Sequence, residues 1–342
     1  MIKKKIKVAV IMGGKSPEHE VSIVSGREVV ASLDKEKYEV LPVIISKNGR
    51  NWRLTPPQAV LSIKDPFLVR NTPKDIELSG QKEISGIDGF REVDVVFIAM
   101  HGPYGEDGTI QGLLELAGIR YTGSGVLASA LGMDKIMFRK IMKSENILIP
   151  KYVVVRKGEN AWQAAQRIGK PPYFVKPFNQ GSSVGASIER NYKELGRSMK
   201  LAFKYSDSVL VDEYIEGVEL TCGVIGNQKI VALPAVEIVA KNKFFDYESK
   251  YSESGTKEII PARISRKNEL EVRKLAIKVY KAIGASGFAR VDFILRKNKL
   301  YVLEINTIPG LTPVSLLPKE AKAAGISYVE LLNKIISYAL EK

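Results

Sequence analysis

Three short segments in the first hundred residues, 6–11, Tyr38–Ile45 and 93–100, are almost continuously apolar and rich in Val, Ile and Leu. A strand with no polar face has to be covered on both sides, and such strands belong to parallel sheets sandwiched between helices. The first segment runs into Gly13-Gly14, and Ser16-Pro17-Glu18 then leads into a stretch where Val21, Val24 and Val29 keep helical spacing. Strand, glycine turn and helix open an α/β unit, so the chain is expected to begin with a parallel α/β domain.

The remaining punctuation divides the chain further. At 342 residues, and with roughly 150 residues per domain, two or three domains are expected. Residues 47–90 are rich in Pro, Lys, Asp and Gly with weak periodicity, and read as a surface excursion with short elements. A helix over 133–145, capped by Asp134 and closed before Ile149-Pro150, opens a second unit. That unit carries strands over 152–155, 173–176 and 209–213 and helices over 158–168 and 192–205. A third unit holds strands over 218–225 and 229–238, a polar, aromatic loop over 241–256, a helix over 268–283, a hairpin over 288–306 and two terminal helices from about Ser315 and Tyr328. The expected domains are therefore 1–134, 135–218 and 219–342.

Composition removes several function classes. A single cysteine, Cys222, permits neither an internal disulfide nor a Cys-based zinc site, which suits a reducing cytosol. With only His19 and His101, any metal has to rest on oxygen ligands. No run reaches the ~18 apolar residues of a membrane span, so no membrane insertion is expected. The basic start leads into a strand without a small-residue cleavage site, so no signal peptide is expected. The net charge of +14 is unevenly spread: 17 basic and 17 acidic residues in 1–134, 15 against 8 in 135–218, and 20 against 13 in 219–342. A basic region attracts any polyanion, nucleoside triphosphates included. Its lysines are scattered, with no aromatic-interleaved stripe, so nucleic acid is not the expected partner.

The hairpin carries the densest chemistry. Residues 290–295 alternate polar and apolar, as do 300–306, and Lys297-Asn298-Lys299 suits a three-residue turn. Paired residue numbers then sum to 596, which sets Asp292 opposite Glu304 with Asn306 two residues along on the same face. Opposed carboxylates repel unless a cation intervenes. Two carboxylates and an amide are hard oxygen donors suited to Mg²⁺; the bland alternative is an exposed polar face.

A strand ending in Phe174-Val175-Lys176-Pro177 is followed at once by Gln180-Gly181-Ser182-Ser183-Val184-Gly185. Glycines let backbone N–H groups approach a phosphate, and Lys176 adds a point charge; alone, the run reads equally well as an ordinary hairpin turn. The order of lysine and glycine loop, then residues 211–219, then Arg290 and Asp292, then Glu304-Ile305-Asn306 resembles the ATP-grasp superfamily. The runs Glu18-His19-Glu20-Val21-Ser22, His101-Gly102, residues 105–112, Tyr121-Thr122-Gly123-Ser124-Gly125, Met133-Asp134-Lys135 and residues 306–312 narrow the likeness to the D-alanine–D-alanine ligases, over nearly the whole chain except 47–90.

The resemblance implies an α/β and α+β fold, an N-terminal parallel α/β domain followed by two ATP-grasp lobes that clamp ATP. It implies ligation of two D-alanine molecules through a D-alanyl phosphate for peptidoglycan precursor synthesis, with ATP as co-substrate and two Mg²⁺ or Mn²⁺ ions. Lys135, Lys176, Ser183 and Lys250 would hold the ATP phosphates, Glu213, Tyr214 and Ile215 the adenine, and Glu219 the ribose. Relatives often carry Glu where this chain has Asp212. Asp292, Glu304 and Asn306 would bind metal. Glu18 would hold the first D-alanine's ammonium beside Ser182 and Tyr251, although an acid in a first helical turn needs no such role. Arg290 and the Gly310 N–H would stabilise the oxyanion. Ser315 and Leu316 would receive the second D-alanine and His101 would approach the substrate side, where a lone imidazole serves structure as readily. Residues 241–256 would be the mobile loop that closes the site. A cytoplasmic homodimer is expected. The alternatives are a D-alanyl-D-lactate ligase, which relatives make with Phe in place of Tyr251, or another ATP-grasp carboxylate–amine ligase.

Overall fold

The computed structural model describes residues 4–63, 77–90, 92–179, 185–240 and 256–342. Its first sheet contains β1 (Ile6–Gly13), β2 (Tyr38–Ile45), β3 (Trp52–Leu54), β4 (Lys82–Ile84) and β5 (Val95–Ile98) in the order β4-β3-β2-β1-β5. β1 pairs in parallel with β2 and β5. Val8 to Met12 are fully buried, as their unbroken apolar run requires. Residues 47–90 supply β3 and β4, which extend this sheet in antiparallel pairing. The parallel core is therefore flanked by an antiparallel edge. Gly13 turns the chain with φ +85°, and a side chain there would strike the Ile45 carbonyl. The buried Ser22 hydroxyl, on the helix His19–Ser32, accepts the Gly13 N–H at 2.8 Å and donates to the Ala99 carbonyl at 2.8 Å, fixing helix to turn.

The second sheet contains β6 (Tyr152–Arg156), β7 (Tyr173–Pro177), β8 (Ser187–Glu189) and β9 (Ser208–Glu213), ordered β6-β9-β7-β8 and antiparallel throughout. Helices Ala161–Gln166 and Tyr192–Ala202 close its core around Val155, Tyr173, Leu195 and Val211. Each starts at an asparagine, Asn160 or Asn191, whose side chain accepts first-turn N–H groups.

The third sheet contains β10 (Val218–Ile225), β11 (Val231–Ala232), β12 (Val236–Ala240), β13 (Thr256–Ile259), β14 (Phe288–Arg296) and β15 (Lys299–Asn306). Its order is β13-β12-β10-β14-β15, with β11 on β10. Helix Arg266–Ala282 packs Val272, Ala276, Val279 and Tyr280 against one face, in a core shared with Phe138 and Met142 of helix Lys135–Ser144. Helices Leu316–Ala323 and Tyr328–Leu340 return to the first sheet, where Leu317, Ala321, Leu331 and Ile335 join its core. Among the described residues no helix is long and apolar enough to cross a membrane.

Candidate active site

The β14–β15 hairpin places its chemistry by alternation. Odd residues Val291, Phe293 and Leu295 turn into the core, and even residues Arg290 and Asp292 lie on the other face. Asp292 pairs with Glu304 and Arg290 with Asn306, as the sequence register expects, by a different route. The turn has two residues, Lys297 and Asn298, both at positive φ, so Arg296 pairs with Lys299 and the outer ladder sums to 595. An irregularity between Asp292 and Phe293 on β14, where Leu303 is the extra residue of β15, restores 596 at the site.

Around this face the charges interlock. Arg290 donates two hydrogen bonds to Asp292, Nε to Oδ1 and Nη2 to Oδ2, both 2.9 Å. Thr221, paired with Asp292 across β10, donates its hydroxyl to Asp292 Oδ1 at 2.7 Å. Glu304 takes Lys135 Nζ at 3.5 Å, and Asn306 Oδ1 accepts the Ile308 N–H at 2.9 Å. Burial opposes the Arg290 charge, but Asp292, with Glu320 and Glu304, outweighs it and raises the guanidinium pKa. Glu219 lies two residues from Thr221 on β10 and so shares the face. Among the described residues no three or more His, Cys, Asp and Glu gather for a metal ion. Two opposed carboxylates and an amide nevertheless fit a hard divalent cation that also takes phosphate oxygens and water.

The second sheet brings a buried cation cluster to the same place. Lys176 at the end of β7 lies 3.3 Å from Asp212 Oδ2, and that oxygen also accepts from Arg139 Nη2 at 2.8 Å. Arg139 is fully buried, one turn beyond Lys135 on helix Lys135–Ser144, whose cap Asp134 accepts the N–H groups of Ile136 and Met137. Burial lowers the Lys176 pKa, Asp212 opposes that, and Arg139, Glu304 and Lys135 also act on it. Lys135 and Lys176 are thus neighbours flanking the metal-type carboxylates. The Lys135 N–H bonds the Phe178 carbonyl just past Lys176. The Glu213 and Tyr214 N–H groups are spent on the Lys151 and Pro172 carbonyls, and Glu213 Oε1 accepts the Lys151 N–H at 2.9 Å. Ile215 is buried beside them.

The first sheet closes the third side. Glu18, N-cap of helix His19–Ser32, is buried against Gly102, where a side chain would meet its Oε2. His101 Nε2 lies 2.8 Å from Ser25 Oγ and Nδ1 lies 3.1 Å from the Ile308 carbonyl, so the imidazole ties the first domain to the loop after β15. Burial disfavours its protonation, while Glu106 and Glu18 outweigh burial and raise its pKa. In that loop Gly310 lies against Ser315, whose hydroxyl meets the Thr312 N–H at 3.2 Å and hydroxyl at 2.7 Å. Leu316 begins the next helix. Ser182, Ser183, Lys250 and Tyr251, and with them loop 241–255, lie outside the described residues.

Arg139, Thr221 and the buried Glu320 are additions that sequence reasoning missed. Arg139 had a signal, a second basic residue four positions after Lys135 on one helix face. Thr221 had none until the β10 register was known.

Family models described as D-ala D-ala ligase N-terminus and D-ala D-ala ligase C-terminus match residues 7–124 and 141–337. The chain is 40% identical to the D-alanine–D-alanine ligase of Caldicellulosiruptor bescii over 354 residues, covering 99% of this chain and 96% of that one. It is 41% identical to its counterpart in Thermoanaerobacter sp., covering 99% and 97%. Among solved structures it resembles the VanG D-Ala:D-Ser ligase of Enterococcus faecalis, with TM-score 0.84, 34% identity and coverage of 98% and 100%. It also resembles the Bacillus anthracis D-alanine–D-alanine ligase complexed with ATP, with TM-score 0.77, 33% identity and coverage of 98% of each chain.

Proposed function

The chain belongs to the D-alanine–D-alanine ligase family, and from that premise we propose that it joins two D-alanine molecules at the cost of ATP, supplying the dipeptide of peptidoglycan precursors. The observation that carries this reading is the convergence of Glu18 and His101 from the first sheet, Lys176 and Asp212 from the second, and Arg290, Asp292, Glu304 and Asn306 from the third. The chain division at 1–134, 135–218 and 219–342 belongs to the same proposal.

In this reading ATP phosphorylates the carboxylate of the first D-alanine, and the amine of the second attacks the acyl phosphate, releasing ADP and phosphate. The work of the chain is placement and charge. Lys135 and Lys176 bracket the phosphates with Ser183 and Lys250. Lys176 shares Asp212 with Arg139, which weakens its hold on either and keeps its cation available to an incoming anion. Glu213, Tyr214 and Ile215 line the base and Glu219 the ribose. With two N–H groups of that segment spent inside the fold, the base is left to its carbonyls and to the Ile215 N–H.

Asp292, Glu304 and Asn306 would hold Mg²⁺ or Mn²⁺, two ions in this family, which when bound would neutralise phosphate charge. Glu18, with Ser182 and Tyr251, takes the first ammonium through charge-assisted hydrogen bonds. Arg290 and the Gly310 N–H aim donors at the oxygen that becomes negative when the amine adds. Ser315 does not cap its own helix with its side chain, because that hydroxyl is turned to Thr312. The first-turn N–H groups therefore suit the carboxylate of the acceptor, with Leu316 beside it and His101 holding the loop. Closure of 241–256 would keep water from the acyl phosphate. The lone buried cysteine and the ATP requirement suit a cytoplasmic enzyme, and family membership carries the expectation of a homodimer.

The test is ADP release with D-alanine, L-alanine or neither, followed by product analysis with D-alanine, D-serine and D-lactate as acceptors. Release that needs D-alanine, with D-alanyl-D-alanine as product, is expected. Release indifferent to D-alanine sinks the assignment, and preference for another acceptor reassigns the product.

A further inference from the structure

Glu320 is wholly buried on helix Leu316–Ala323, and neither of its carboxyl oxygens makes a hydrogen bond of ordinary geometry among the described residues. Its place is set by a glycine. A side chain on Gly223 would run into Glu320 Oε2 and Leu317 Cδ1, so the helix docks with the Glu320 carboxyl over that residue. Gly223 pairs with Arg290 across β10 and β14. Directly paired residues of an antiparallel ladder point to the same face with Cβ atoms about 4.5–5.5 Å apart. The Glu320 carboxyl therefore fills the place of the side chain that residue 223 lacks, in the row that continues through Arg290 to Asn306. The adjoining row is Thr221, Asp292 and Glu304. Asp292 grips the guanidinium by one edge only, through Nε and Nη2.

We propose that Glu320 is a positioning residue for Arg290, a buried carboxyl that walls the guanidinium into one orientation from the β10 side while leaving its charge to the reacting oxygen. This rests on the assignment of Arg290 as oxyanion donor. Burial pushes the Glu320 acid well above the usual carboxylate range; Arg290 pulls it down, Asp292 pushes it up, the Gly223 N–H pulls it down and Glu258 pushes it up again. Glu320 makes no hydrogen bond to the guanidinium, whose Nε and Nη2 go to Asp292; it acts on Arg290 by occupying the place beside the Gly223 N–H, which an amide of the same shape would also fill. Because the same helix starts at Ser315 and Leu316, the orientation of Arg290 is tied to the segment that receives the acceptor.

The experiment measures D-alanine-dependent ADP release, kcat and KM for ATP separately, for Glu320→Gln and Glu320→Leu, alone and combined with Arg290→Lys, with thermal unfolding recorded for each. Gln should keep kcat within about twofold, and Leu, which keeps the volume but no polar atom, should lower kcat about tenfold with KM for ATP unchanged. In the Arg290→Lys background Leu should cost nothing further. Parental kcat in Glu320→Leu, a Gln variant as impaired as Leu, or losses that multiply with Arg290→Lys would each overturn the proposal. If the Leu variant does not fold, Gly223→Ala displaces the same carboxyl and must lower kcat instead. Parental kinetics in Arg290→Lys would remove the oxyanion assignment itself, whatever Glu320 does.

Discussion

Arg290 and Asp292 sit at alternate positions of one strand, so a single backbone direction aims a cation and a carboxylate at the same point. The two hydrogen bonds between them hold the guanidinium in plane. Arg290→Ala should lower kcat by about 10²-fold, on the order of 3 kcal/mol of transition-state stabilisation, with KM for ATP little changed; steady-state ADP release checks this. Glu320 gives a prediction of opposite sign for stability. Its folded pKa is raised by burial above the ordinary value, so its favourable contribution is complete below that ordinary value and is lost as pH rises toward the folded one. Glu320→Gln should therefore melt above the parent at pH ~8, by more than at pH ~5. Equal gaps in thermal unfolding at the two pH values would contradict this. Asp292 and Glu304 were legible in the sequence because period-two alternation shows which residues share a face. Arg139 and Glu320 were not, because their partners Asp212 and Gly223 come from other parts of the chain and a glycine carries no pattern of its own.

At the scale of elements, the hairpin shows how a correct pairing can arise from two compensating details. A two-residue turn shortens the ladder by one, and the extra residue on β15 returns it before Asp292 meets Glu304. Neither detail is visible as alternation, since a bulge looks like noise in a short pattern. Two consecutive left-handed residues, Lys297 at φ 48° and Asn298 at φ 62°, form the turn, and such turns favour Asn-Gly. Replacing Lys297-Asn298 by Asn-Gly should stabilise the fold by about 1 kcal/mol without changing kcat, because the turn lies beyond the site; urea unfolding measures it. The long periodic helices and buried strands were legible. The three-residue strands β3 and β4 were not, because three residues are too few to show an alternation and β4 is a sheet edge that needs little apolar pattern. The terminal helices were visible as helices, yet their return to the first sheet depends on packing between distant segments.

For the molecule as a whole, the charge split acquires a location. The first 134 residues are neutral, and the excess of basic residues belongs to the segments that carry the second and third sheets. Lys135, Lys176, Arg139 and Arg290 are each ion-paired with Glu304, Asp212 or Asp292, so they account for little of the net excess. The surplus is therefore mainly solvated surface, which acts on ligands at a distance and is screened within about 8–10 Å at ordinary ionic strength. ATP carries several negative charges and D-alanine is a zwitterion, so only the nucleotide should feel that field on approach. Raising ionic strength from ~50 to ~500 mM with tetramethylammonium chloride, at fixed potassium and free Mg²⁺, should lower kcat/KM for ATP several-fold. Under the same change kcat/KM for D-alanine should stay nearly constant. Equal sensitivity of both substrates would mean that the basic lobes do not guide the nucleotide, and that the site's own buried cations act alone.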